Sequence, residues 1–192
     1  MLMPLTGCGE DAAADNAAEK IPYIENDVDK NTDAEEKSAP TSEETKNILE
    51  RLNIIDKMGA SAWDVDKNSE YINENGVQYY KSADEMFADT ADVRDFLNTY
   101  FTEKMINGRY LCILDTDEPA CIDVDGALYI KYAPKGGGFA FTDTEPVIKE
   151  IDGGKYLILA EFENYGAVDI MEINVVKDEN AWKIDSISLG DK

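Results

Sequence analysis

The residues with the most chemistry to offer lie between Leu111 and Gly126. Asp115, Asp117, Glu118, Asp123 and Asp125 supply hard oxygen ligands or hydrogen-bond acceptors, and Cys112 and Cys121 stand nine residues apart among them. Calcium takes such oxygens, but the EF-hand spacing is missing. With Gly126 at the sixth loop position, Cys121 falls at the first and Tyr132 at the twelfth, where carboxylates are needed. Asp64-Val65-Asp66-Lys67-Asn68 is a partial match that lacks the glycine and the closing glutamate. The better reading is a solvated acidic loop that binds no metal. In an oxidising compartment Cys112 and Cys121 are expected to form a disulfide over a turn at Pro119, the alternative being two buried free thiols.

Other reactive constellations are excluded or thin. The 192 residues include no histidine, which removes Ser-His-Asp triads, Cys-His pairs and His-containing zinc sites together. Gly136-Gly137-Gly138 follows Lys135, but a P-loop needs its Gly-Lys-Ser/Thr to open a helix, whereas Phe139-Ala140-Phe141 reads as strand. A hairpin or a loop at a binding edge fits that connection better. No pair of carboxylates is singled out for glycoside hydrolysis. The expectation is a protein with no catalytic residue and no cofactor.

Charge narrows the partners. Asp and Glu number 41 against 18 Lys and Arg, a net charge of −23. A nucleic-acid binder needs cations to displace phosphate counterions, so that class is excluded. An electrostatic grip on an anionic membrane surface is disfavoured for the same reason.

The elements that must carry these residues are legible in the periodicity. Tyr156, Ile158, Ala160 and Phe162 alternate with mostly polar neighbours, and Met171, Ile173 and Val175 repeat that period. A period of two puts one face of a strand on a core. Short turn-rich connections at Asp152-Gly153-Gly154 and Lys177-Asp178-Glu179-Asn180 make neighbouring strands antiparallel. Upstream, Thr41 and Glu44 form a capping box for a helix whose Ile48, Leu52, Ile55 and Met58 share one face, ending at Gly59 or running on to Trp63. GVQYY at 76–80 is a strand candidate. Ser82 to Glu85 reads as a second capping box, opening a short helix or turn through Met86 and Phe87. Thr90 would cap a helix with a stripe of Val93, Phe96, Leu97, Tyr100, Phe101 and Met105, closed by Gly108 as its C′ residue. Tyr110 to Leu114 reads as another strand. The fold class expected is α+β, two or three helices packed on a curved antiparallel β-sheet.

Three regions follow. Residues 1–8 end in Leu5-Thr6-Gly7-Cys8, which resembles a bacterial lipobox, with Cys8 the acylated residue and Met1 to Leu5 the stub of an apolar signal core. Residues 9–40 are rich in Ala, Asp, Glu and Asn and read as a disordered acidic linker. Residues 41–192 form the α+β domain. Nothing else approaches the ~20 apolar residues of a membrane span, so the expected address is extracytoplasmic, with the lipid on Cys8 as the anchor.

The order of elements in the domain resembles a known family. An aromatic helix reading DVRDFLNTYFTEKM, then DGALYIKYA, a Gly-rich connection and a meander ending AWKIDSI is similar to the D,L-endopeptidase inhibitors of Gram-positive bacteria, also called inhibitors of cell separation. Tyr100-Phe101-Thr102, Gly126-Ala127-Leu128-Tyr129 and Ala181-Trp182-Lys183-Ile184-Asp185 carry the likeness. An ending like Trp182 to Asp185 also occurs in lipoproteins of cystatin- or NTF2-like shape, where a bent sheet wraps a helix. The resemblance implies a non-catalytic exported protein that blocks a peptidoglycan endopeptidase, a cell-wall hydrolase, by occupying its substrate groove. The acidic loop and Gly136, Gly137 and Gly138 are the expected contact edge. The alternative is a cystatin- or NTF2-like module that holds a small ligand or a protein partner.

Overall fold

A computed structural model describes residues 38–132, 139–164, 166–178 and 181–190. Cys8, residues 9–37 of the linker and the Gly136–Gly138 connection lie outside the described residues.

The first helix, α1 (Ser42–Gly59), starts where its capping box predicts. The Glu44 N–H donates to Thr41 Oγ1 at 3.2 Å, and the Thr41 N–H donates back to Glu44 Oε2 at 2.7 Å. Two of the helix's orphan donors are thereby satisfied. Ile48, Leu52, Ile55 and Met58 are all buried. The 82–85 segment, by contrast, forms no helix. Its Ser82 hydroxyl donates to the Asp84 carbonyl and accepts from the Asp84 N–H and, across nineteen residues, from the Trp63 indole.

Beyond α1 the strands fall into two curled antiparallel sheets rather than one. In the first, β1 (Ile72–Glu74), β2 (Val77–Lys81), β3 (Cys121–Val124) and β4 (Ala127–Lys131) run in the order β1-β2-β4-β3. Asn75-Gly76 and Asp125-Gly126 turn its two hairpins with both residues at positive φ, the pairing that two-residue turns of this hand favour. The second sheet contains β5 (Ala140–Phe141), β6 (Val147–Asp152), β7 (Lys155–Asn164), β8 (Ala167–Asp178) and β9 (Ala181–Leu189). There β5 and β6 share one edge of β7, and β8 and β9 follow. Ile158 pairs with Ile173 and Ala160 with Met171, so the alternating apolar residues of both strands meet on one buried face.

Helix α2 (Thr90–Tyr100) packs on this face with Val93 and Leu97 buried. Its N-cap is Asp89 rather than Thr90, the Asp89 carboxylate accepting from the Asp92 N–H at 3.0 Å. The helix does not run on to Gly108. Phe101 is extended (φ −128, ψ 149) and makes a parallel bridge to Ile184, while the Thr102 N–H donates to the Ile184 carbonyl at 3.0 Å. Thr102 then caps a new helical run: α3 (Glu103–Met105), a π-helical turn (Ile106–Tyr110) and α4 (Leu111–Leu114). Gly108 therefore sits inside the π-helical turn. The 110–114 segment is helical, not a strand, because Tyr110 and Ile113 are buried three apart while Leu111 and Cys112 between them are exposed. Among the described residues no helix is long and apolar enough to cross a membrane.

Phe101 is 1% exposed and Ile184, opposite it, also 1%. Phe101→Ala should lower the unfolding free energy by about 3–5 kcal/mol in a urea titration. Val147→Ala, at a residue 54% exposed on β6, should change it by no more than ~0.5 kcal/mol.

Candidate functional site

The acidic residues predicted as a contact edge sit on and around the β3–β4 hairpin, after α4, and each has its own setting. Asp115 is held bidentately by Arg94 of α2, at 2.8 and 3.1 Å. That pairing keeps the Asp115 carboxyl below the usual carboxylate range and raises the Arg94 guanidinium. Glu118 takes Lys131 of β4 at 2.9 Å. Asp123 accepts from both the N–H and the hydroxyl of Thr90, at 2.8 and 2.6 Å, so its charge lies at the first residue of α2, where the helix dipole favours it. Asp125 belongs to the hairpin turn, at φ 50. Asp117 is exposed. Among the described residues no group of three or more Cys, Asp or Glu stands where it could hold a metal ion.

The expected disulfide is not formed: Cys112 and Cys121 are both free thiols. Their backbones are close, since the Ala120 N–H donates to the Cys112 carbonyl at 2.9 Å. The side chains diverge. Cys112 sits on an exposed helical position, its sulfur near the Arg109 carbonyl at 3.7 Å. Cys121 is on the inward side of β3 and directs its thiol to the Ile113 carbonyl at 3.4 Å. Burial, and then the nearby Asp123 charge, push the Cys121 thiol up to about 12, so it stays protonated and unreactive at neutral pH.

A second charged junction was not anticipated. Asp185, at an irregularity of β9, accepts from Lys104 at 2.8 Å and from Thr102 Oγ1 at 3.1 Å. Lys104 and Thr102 hold its carboxyl below the usual range against a smaller opposing effect of burial. The partners Arg94, Thr90, Lys131 and Lys104 carry no sequence signal of their own role, because each is chosen by a residue far along the chain. The Asp125-Gly126 dipeptide did carry one, as a hairpin turn.

Concavities among the described residues include two beside the five-stranded sheet. One, of about 600 Å³, lies between the N-terminal half of α1 (Ser42, Thr45, Lys46, Leu49) and residues 142–148. The other, of about 230 Å³, lies between the π-helical turn and the far end of the five-stranded sheet. Comparison with known protein families and with curated proteins finds no match for this chain.

Asp115 and Asp185 are stabilised by cations in the folded state alone. Their contribution is present above the unfolded carboxylate pKa of ~4 and is lost as pH falls through their lowered folded values. Both sites are partly exposed, so the expected effect is modest, under ~1 kcal/mol per pair. Urea midpoints measured from pH 7 down to pH 2 should decline below ~4, and the decline should be shallower in the Lys104→Met, Arg94→Met double variant.

Proposed function

We propose that the chain is an extracytoplasmic, lipid-anchored, non-catalytic protein that inhibits or regulates a peptidoglycan D,L-endopeptidase. The observation that carries this reading is the pinned acidic edge. Asp115 and Asp123 are fixed to α2, through Arg94 and Thr90, and Glu118 to β4, through Lys131, leaving Asp117 exposed between Asp115 and Glu118. A preorganised loop loses little entropy on docking, which is what a tight inhibitor of a groove requires. The carboxylates whose titration the fold moves, Glu44, Asp115 and Asp185, are all lowered, which suits fixed charges rather than proton donors. A net charge of −23 favours fast encounter with a basic partner. The resemblance of Tyr100-Phe101-Thr102, Gly126 to Tyr129 and Ala181 to Asp185 supplies the enzyme class.

The finer fold reading, a cystatin- or NTF2-like shape, rests on curled sheets whose inner face packs against helices. Its functional counterpart is a module for a small ligand. The cavity beside α1 favours this second reading, since about 600 Å³ lies within the ~300–1,000 Å³ of small-molecule sites.

The test is a peptidoglycan-clearing assay in which the purified protein is titrated into a cysteine-type D,L-endopeptidase, with a no-enzyme control. Stoichiometric inhibition is expected, and Asp117→Lys should slow association several-fold at low salt. Clearing in the control would assign the protein to the hydrolases instead. No inhibition across several endopeptidases would leave the small-ligand module as the account that stands.

A further inference from the structure

The inner face of the five-stranded sheet is covered unevenly. Tyr156, Ile158, Ile173 and Ile184 are buried in the core shared with the helices. Further along, the same face carries Phe162, Met171 and Ile187 and ends at Leu189. Leu189 pairs with Met171 across β8 and β9, yet Leu189 is 71% exposed where Met171 is 5% exposed. With Phe139, whose ring meets Phe162 edge-on at 5.6 Å between centroids, these residues wall the cleft of about 230 Å³. Leu189 thus extends the core-facing register into a cleft that the described residues leave open to solvent.

Among the described residues that line this cleft, Arg109 is the cation. Arg109 lies on the π-helical turn 106–110, a local geometry that recurs at functional sites. Its Nη2 donates to Asp56 at 2.8 Å, and the side chain remains 47% exposed. Asp56 thus orients the guanidinium while using few of its five N–H donors. A planar fork beside an apolar cleft matches a carboxylate, and the adjacent Asp56 charge disfavours a dianion such as phosphate. The volume falls below that of drug-sized sites, so it takes one apolar group.

We propose that this cleft binds a small apolar carboxylate, its branched or aromatic group among Phe139, Phe162, Met171 and Leu189 and its carboxylate on Arg109. A free short-chain acid and the C-terminal residue of a peptide share this chemistry. The site is separate from the acidic edge and does not depend on the endopeptidase reading.

The experiment is a titration of the intact protein, followed through the NMR methyl signals of Met171 and Leu189. The probes are isocaproate, N-acetyl-leucine and the neutral isocaproamide. Saturable shifts are expected with both carboxylates, with affinity for the amide lower by about tenfold or more. Arg109→Gln should reproduce that loss. Leu189→Asp, at an exposed position, should abolish binding while leaving the urea midpoint unchanged, which separates a lost site from a lost fold. Tighter binding of N-acetyl-leucine than of isocaproate identifies a peptide terminus as the source, and the reverse order a free acid. Equal affinity for amide and carboxylate, no saturable shift with any probe, or shifts confined to residues beside α1 would overturn the proposal.

Discussion

The contact between Phe101 and β9 is the join on which the arrangement depends. At Phe101 the chain leaves a helix, runs extended through Phe101 and Thr102 against Ile184, and re-enters a helix at Glu103. The break turns an aromatic side chain into the sheet's inner face, where it meets Tyr110 edge-on at 5.2 Å, and gives the Thr102 N–H the Ile184 carbonyl as its acceptor. It also sets the direction of the second helical run. Arg109 reaches Asp56 of α1 because that run starts where it does, and Asp185 finds Lys104 and Thr102 for the same reason. β9 is consequently the strand that α1, α2 and α3 all approach.

Around that core the negative charge is distributed rather than concentrated. A chain with 41 acidic residues would repel itself if they converged. Here the loop carboxylates go to separate counter-groups on α2 and β4, and no two share one. Such spacing suits a surface that meets another protein better than one that strips a metal of its water or shares a proton between carboxylates. The apolar cleft at Arg109 is a different environment, with a cation instead of anions and hydrocarbon walls instead of solvated turns.

What was readable in the sequence is what local chemistry decides. The Thr41–Glu44 capping box needs three residues of context, and the alternation from Tyr156 to Phe162 needs seven, so both were legible. The break at Phe101 was not. Within the helix the stripe from Val93 to Met105 continues through it, and only a strand more than eighty residues downstream decides otherwise. The 110–114 segment failed for another reason: a five-residue apolar run has no period, and length alone does not separate strand from helix. For the cysteines, sequence separation suggested a bond that side-chain direction rules out, since one residue sits on a helix's outer side and the other on a strand's inner side. The division of the strands into two sheets was equally hidden, because pairing partners, unlike alternation, are not written in a single strand.

The most direct test of the account is amide hydrogen exchange at Thr102, read by NMR on the intact protein. If the helix is broken and locked to β9 as described, the Thr102 N–H should exchange as slowly as amides of the central strands β7 and β8, opening only with global unfolding. Exchange of Thr102 as fast as the exposed hairpin amides, with Phe101 to Met105 showing continuous helical shifts, would contradict it. The placement of Arg109 and Asp185 would then have to be abandoned with it.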